Sequence, residues 1–167
     1  MAYIPNISDY KPFYIQTTSD TTAQNTTQWG LVAKSNPYPV LPTPKEPFKN
    51  EWKDENGDDE YTTSMHYEAM EFSVGFYIKT YAANSKTAVQ ILHEQIDTFF
   101  NKIKSGVFKT YDSYAGLGFQ NVRYNGYKED DFVARDDWAR LLLTVDFKAN
   151  DPLTRITISN NTLVEEE

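Results

Sequence analysis

The 167 residues of the sequence include no cysteine and only two histidines. Disulfide bonds, thiolate metal sites and cysteine nucleophiles are therefore excluded, while the redox compartment stays open. Runs of consecutive apolar residues are short, as the LLL of residues 141–143 illustrates, so no segment has the length of a transmembrane helix. Residues 1–13 lack the charged and then apolar layout of a signal peptide, and we expect a protein made and used without export.

Positive charge is also scarce, because 16 Lys and Arg stand against 24 Asp and Glu, for a net charge of −8. This balance argues against a protein that wraps nucleic acid by neutralising phosphates. Aromatic residues, in contrast, are abundant, with 12 Tyr, 10 Phe and 3 Trp. A disordered chain of this charge would contain far fewer of them. Enrichment in Tyr and Trp is typical of surfaces that meet other subunits.

Composition divides the chain into three predicted segments. Residues 1–35 combine short strand-like pieces with a threonine-rich loop, residues 36–150 form an α+β domain, and residues 151–167 form a C-terminal extension with a short strand (RITIS) and an acidic tail. Residues 37–47 hold five of the eight prolines. Because proline lacks an amide donor and has a fixed φ, this stretch predicts an extended rim segment and not an interior strand.

An acidic hairpin is predicted after the prolines. The dipeptide Asn56-Gly57 is a strong tight-turn signal, because both residues tolerate positive φ. Six carboxylates flank this turn: Glu51, Asp54, Glu55, Asp58, Asp59 and Glu60.

Hydrophobic periodicity predicts the fold class. A two-residue alternation places Met70, Phe72, Val74, Phe76 and Ile78 on one strand face, and Ala139, Leu141, Leu143, Val145 and Phe147 on another. Steps of three and four link Val89, Leu92, Ile96, Phe99 and Ile103 into a helix, which Asn84 or Ser85 caps and Gly106 ends. We expect an α+β protein in which a mostly antiparallel sheet packs against one main helix, with the acidic β-hairpin protruding.

Candidate chemistry is weak throughout the sequence. Asp54, Asn56 and Asp58 have the spacing of a calcium loop, but Asp59 and Met65 stand where glycine and glutamate are required. No serine lies in a nucleophile elbow. We therefore expect no enzyme, metal or cofactor. Two rival classes are a small hydrolase with carboxylates near Asp130 and Asp136, and a carbohydrate-binding β-domain. The latter would use exposed tryptophans, namely Trp29, Trp52 or Trp138.

The order of elements supplies a resemblance. A proline-rich entry (NPYPVLPTP), the acidic hairpin, a long strand (HYEAMEFSVGFYIKTY), a helix (SKTAVQILHEQIDTFFNKI), an aromatic strand pair with VRY, and the closing DDWARLLLTVDFKANDP follow one another over residues 36–150. This series resembles the tail terminator, or neck terminator, proteins of long-tailed bacteriophages. Many of those begin with a helix, whereas residues 1–35 read as strands and a loop. A head–tail stopper or a tail-tube subunit therefore stays an alternative.

The resemblance implies a structural virion protein, assembled in the bacterial cytoplasm. It implies a ring, commonly a hexamer, that ends the tail tube at its head-proximal end, joins the neck or connector proteins and lets DNA pass unbound. We expect the subunit interface at Arg140, Asp146, Lys148 and Tyr77, on the charged side of the sheet. We expect the acidic hairpin to line the lumen, where like charge keeps the DNA mobile.

Overall fold

The computed structural model describes residues 11–47, 49–50, 59–60 and 65–167, with the backbone alone for residues 50, 59 and 60. Its strands are β1 (Phe13–Thr17), β2 (Gln24–Asn25), β3 (Val32–Ala33), β4 (Lys49–Asn50), β5 (Asp59–Glu60), β6 (Met70–Tyr81), β7 (Phe108–Asp112), β8 (Leu117–Ala134), β9 (Trp138–Ser159) and β10 (Thr162–Glu165). The helix α1 spans Ala88–Ile103, and a 3₁₀ helix spans Thr26–Trp29.

Eight of these strands form one sheet, which confirms the expected mostly antiparallel α+β class. Seven strands lie in the order β2-β1-β7-β8-β9-β6-β3, and β10 pairs with the end of β9. Each pairing within the described residues is antiparallel. Strands from the beginning, middle and end of the chain thus share one hydrogen-bonded framework.

The separate pair β4–β5 joins the two sides of the predicted acidic hairpin. Lys49 lies opposite Glu60, and Asn50 lies opposite Asp59. The predicted turn at Asn56-Gly57 and the flanking Glu51, Asp54, Glu55 and Asp58 lie outside the described residues.

The alternation read from the sequence corresponds to the two faces of the sheet. In β6 and β9, each predicted apolar position is buried on the face that we call the inner face. Phenylalanine rings fill much of this core, and Phe72 stacks on Phe147 with centroids 5.5 Å apart while Phe13 meets Phe76 edge-on at 5.7 Å. The residues that alternate with these positions, such as Tyr77, Arg140, Asp146 and Lys148, face outward, on the outer face.

The helix α1 covers part of the inner face, over β6 and β9. It buries Ala88, Leu92, Phe99 and Ile103. Its N-cap is Thr87 and not Asn84 or Ser85, so the predicted cap is wrong. Thr87 and Gln90 exchange the two hydrogen bonds of a capping box. Asn84 and Ser85 instead adopt positive φ in the preceding turn. Among the described residues no helix is long and apolar enough to span a bilayer.

The predicted separate strand RITIS is wrong in one respect, because β9 continues unbroken from Trp138 to Ser159. The register passes from Gln120–Asp151 directly to Phe119–Arg155, so residues 152–154 form a bulge in β9. A bulge accommodates Pro152, which has no amide hydrogen for the ladder. The end of β9 then pairs with β10.

Candidate interaction surfaces of the sheet

A long hairpin extends from the sheet where β8 and β9 run beyond their neighbour. In the described chain β7 pairs with β8 only as far as Val122. Residues 124–134 of β8 therefore have β9 on one side and an open backbone edge on the other. The hairpin closes at residues 135–137, where the amide of Arg135 donates to the carbonyl of Trp138 at 2.7 Å. Open edges of this length are available for contacts with other chains.

Two bulges in β8 distribute the side chains of this hairpin between the two faces. The register shifts once between Tyr124 and Gly126 and again between Glu129 and Asp131, so Asn125 and Asp130 are the inserted residues. Each bulge resets the two-residue alternation. As a result Tyr124, Tyr127, Glu129 and Phe132 lie opposite the inner-face residues Phe147, Val145, Leu143 and Leu141.

The outer face carries a network of polar pairs. Arg140 Nη2 lies 3.2 Å from Asp131 Oδ2, Ser73 donates to Asp146 at 2.6 Å, and Thr144 donates to Asp130 at 2.6 Å. The predicted interface residues share this face: Arg140, Asp146 and Lys148 on β9 and Tyr77 on β6, where Tyr77 lies opposite Leu142. All four are partly exposed.

Cationic and aromatic side chains meet on the outer face near the hairpin tip. Lys79 Nζ lies 4.7 Å from the ring centroid of Trp138 and 5.3 Å from that of Tyr81. Arg135 approaches Trp138 from the tip, with 5.9 Å between its guanidinium carbon and the ring centroid. Because cations occupy the ring faces, Trp138 is a poor stacking platform for a sugar.

On the inner face, an apolar groove of about 410 Å³ lies between α1 and the hairpin. We call it the aromatic groove. Its floor is Leu141, Leu143 and Val145, its walls include Leu92, Ile96, Phe100, Tyr124, Tyr127 and Phe132, and His93, Asp97 and Glu129 supply its polar atoms. Phe100 packs edge-on against Tyr124 at 5.4 Å. Burial, together with nearby Tyr127 and Asp146, raises the pKa of Tyr124.

Three large side chains of the aromatic groove stay exposed. The exposed fractions are 60% for Tyr127, 46% for Phe132 and 40% for Phe100. None of the three was predicted from the sequence as part of a site. Phe100 lies beside the apolar stripe of the helix, and the bulges place Tyr127 and Phe132 on the inner face. The adjacent pair Phe99-Phe100 is a local signal, because an ordinary amphipathic helix needs only one of the two positions apolar.

The proline-rich segment presents a second apolar feature. Val40 and Leu41, which we call the apolar dipeptide, are 88% and 79% exposed, more than any other large apolar side chain in the described residues. Backbone hydrogen bonds Lys45–His66 and Glu68–Thr43 hold the chain after the dipeptide beside the start of β6. The predicted extended rim segment is thus present, with this dipeptide projecting from it.

Tyr38 anchors the segment before the dipeptide. Its ring packs on Phe72 and Phe119 at 5.4 and 5.9 Å, and its hydroxyl donates to Asp112 at 2.6 Å. Burial, with the adjacent carboxylate of Asp112, raises the pKa of Tyr38 far above its ordinary value. The phenol therefore stays protonated and keeps donating to Asp112.

Some residues of the rival chemical sites lie within the described part of the chain. Trp29 is buried, with 7% exposed, and so cannot stack on a sugar. The bulge at Asp130 places Glu129 and Asp131 on opposite faces. In the described part of the chain no group of three or more His, Asp or Glu residues is arranged to hold a metal ion. The calcium-like positions 54, 56 and 58, and Trp52, lie outside the described residues.

Comparisons with known proteins show that the chain has a fold similar to that of a solved structure. No protein-family model matches the chain, and no curated protein matches it. Among solved structures, it is similar to the Dit protein (gp 19.1) of phage SPP1, described as a paradigm of the hub adsorption apparatus in phages that infect Gram-positive bacteria. The TM-score is 0.57 at 14% identity, and the match covers 89% of this chain and 53% of that chain. The chain thus spans about half the length of the Dit protein, with a similar fold.

Proposed function

We propose that the protein is a non-enzymatic structural subunit of a phage tail that assembles into a ring. The observation that carries this proposal is the fold shared with the SPP1 Dit protein over 89% of the chain. Fold alone does not determine function. The resemblance read from the sequence supports the same class, because it was drawn from the order of elements and not from the three-dimensional fold.

The outer face of the sheet is the proposed ring interface. It presents Arg140, Asp146, Lys148 and Tyr77 on two neighbouring strands of a rigid sheet. Charged side chains at the rim of an interface determine register and partner choice more than affinity. Half-buried Tyr77 and Leu142, which lie opposite each other, supply the apolar centre that a subunit contact requires.

Two positions in the tail are compatible with such a ring. The order of sequence elements favours the terminator, at the head-proximal end, with neck proteins and the tail tube as partners. The likeness to the Dit protein favours the hub of the adsorption apparatus. In either position the protein belongs to the virion, and a hexamer is the expected ring.

The test is to locate the protein in purified phage particles by cryo-electron microscopy, with an antibody fragment against the chain. Label at the head-proximal end supports the terminator, and label at the adsorption end supports the hub. Label along the whole tube identifies a tube subunit. Particles that lack the protein altogether would refute the structural role in the tail.

A further inference from the structure

We propose that the apolar dipeptide of one copy, Val40 and Leu41, inserts into the aromatic groove of the next copy in the ring. This inference rests on the proposed function and deepens it, since it names the two surfaces of a subunit contact, one of which adjoins the outer-face residue Lys148. Both partners are present in every chain: an exposed apolar projection and an apolar groove with exposed aromatic walls. Exposed apolar groups of this size are typical of sites that bind another protein.

A single molecule cannot make this contact with itself. Leu41 lies in a depression with Glu71 and Lys148, which are outer-face residues. The groove lies on the inner face, over Leu141, Leu143 and Val145. The hydrogen bond of Tyr38 to Asp112 and the backbone bonds after the dipeptide keep the segment in place. The dipeptide can therefore reach only the groove of another copy.

Charge complementarity favours a second copy as the occupant. Residues 34–45 contain Lys34 and Lys45 and no carboxylate, in a chain whose net charge is −8. The groove contributes Asp97 and Glu129 at its rim. Lys45 lines the same depression as Leu41, together with Lys148, Glu68 and Glu71, and docking would bring this lysine toward the groove carboxylates.

Conformational cost and symmetry support the same contact. The prolines at positions 37, 39, 42 and 44 stiffen the segment, so little backbone entropy is lost on docking.

The contact joins two different surfaces and is therefore heterologous. Heterologous contacts build closed rings or open helices, and not isolated dimers. A closed ring forms when the rotation from one copy to the next adds up to a full turn.

The first test places the photo-cross-linker p-benzoylphenylalanine at position 41 in the purified full-length protein, at concentrations up to millimolar. Chains labelled with ¹⁴N and ¹⁵N are mixed, so mass spectrometry distinguishes cross-links between copies from those within one copy. We expect mixed-isotope dimers cross-linked to α1 around Phe100 and to β8 around Tyr127 and Phe132. Cross-links that map elsewhere, or a protein that yields none, overturn the inference.

The second test measures self-association by sedimentation. Leu41→Asp and Phe132→Asp should each weaken it by about 30-fold or more, which is the effect of removing an interface hot spot. The control Leu153→Asp changes another exposed leucine, which is 59% exposed, and should leave association unchanged. All three should melt close to the wild type. Unchanged association in Leu41→Asp overturns the inference.

A charge exchange tests the pairing across the rim. Lys45→Glu and Asp97→Lys should each weaken association, and the double variant should recover part of the loss; additive losses contradict the proposed pairing. The location of the protein in phage particles is a separate readout. A normal location together with no groove cross-link overturns this inference and leaves the proposed function standing, whereas absence from particles overturns the proposed function.

Discussion

At the scale of single residues, Gly118 lies where backbone atoms of β7 and β9 crowd the position of a Cβ atom on β8. A Cβ atom built on it would lie 2.5 Å from the carbonyl oxygen of Ile156 and 2.7 Å from that of Thr110. Both atoms belong to the backbone and cannot rotate away. This packing role was not predicted from the sequence. The requirement for glycine here comes from residues 38 positions later in the chain as well as from the neighbouring strand.

We predict that Gly118→Ala destabilises the protein by about 1–3 kcal/mol, as forced overpacking does. The matched control is Gly75→Ala, in the same sheet, where the nearest atom to an added Cβ is a side-chain oxygen of Asn36 at 3.4 Å. Chemical denaturation of both variants checks the prediction. Equal stability of the two variants would contradict the proposed crowding at Gly118.

Asp20 is an ionisable residue whose environment couples stability to pH. Burial alone would raise its pKa, but hydrogen bonds from Lys102 and from the amide and hydroxyl of Thr17 outweigh this effect and lower it below the ordinary 3.8. The unfolded chain therefore binds a proton at Asp20 more readily than the folded chain does. The stability that Asp20 contributes is present above pH 3.8 and is lost as the pH falls through the folded-state pKa.

We predict that Asp20→Asn makes the stability less dependent on pH in this acidic window. Lys102→Gln should have the same effect, since it removes the main group that lowers the pKa. Denaturation curves recorded from neutral pH to below pH 3.8 measure, for each protein, the slope of the free energy of unfolding against pH. A slope identical to the wild type in both variants would show that Asp20 is not the linked group.

At the scale of elements, Phe99 is the largest of the four buried side chains that attach α1 to the sheet. Phe99 is 2% exposed and contacts Trp29 and Phe76, with ring centroids 5.6 Å apart in both cases. It joins the helix to the 3₁₀ helix and to β6. We predict that Phe99→Ala costs about 3–5 kcal/mol. Phe100→Ala is the matched control, one residue along and 40% exposed, and should cost only about 1 kcal/mol. Thermal melts of the two variants measure this difference in stability.

In the β8–β9 hairpin, Arg140 allows the stability of the domain and the formation of the proposed ring to be tested separately. Arg140 pairs with Asp131 at 3.2 Å, but its Nε is buried without a hydrogen-bond partner among the described residues, so the residue contributes little net stability. We predict that Arg140→Glu shifts stability by no more than about 1 kcal/mol and impairs ring formation. Leu143→Asp, on the inner face, should unfold the domain.

A reversed pair provides the control for Arg140. Arg140→Glu combined with Asp131→Arg restores a local ion pair on the same face, so stability should return to that of the wild type. Ring formation should stay impaired, because a neighbouring copy meets the opposite charge pattern. Electron microscopy and thermal melts give the two readouts. Normal rings from the single Arg140→Glu variant would remove this strand from the interface.

Elements with a local hydrophobic pattern could be predicted from the sequence, whereas features that depend on pairing between distant segments could not. Alternation in β6 and β9 and the three-and-four spacing of α1 are local signals, and each predicted apolar position lies on the inner face or the covered side of the helix. The bulges at Asn125 and Asp130 have no comparable signal, because they exist only relative to β9. The aromatic groove depends on those bulges and could not be predicted. The contact of Tyr38 with Asp112 also joins distant segments.

At the scale of the whole molecule, the two faces of the sheet have different coverings. The inner face is covered by α1 at one part and by Tyr38 at another, and the aromatic groove is the opening beside the hairpin. The outer face carries an ion pair between Arg140 and Asp131 and hydroxyl hydrogen bonds to two further aspartates. This asymmetry suits a subunit that meets its two neighbours in a ring with different surfaces.

The net charge of the whole chain leads to a prediction about DNA. With 24 carboxylates against 16 cations, the protein repels phosphate, and a ring of identical copies multiplies that repulsion. We predict that about 10 μM protein does not retard a duplex fragment in gel electrophoresis at physiological salt, a range where nonspecific DNA-binding proteins associate. A salt series with a basic DNA-binding protein is the positive control. Retardation that weakens as salt rises would reveal phosphate contacts, and a ring that holds DNA in this way could not let it pass freely.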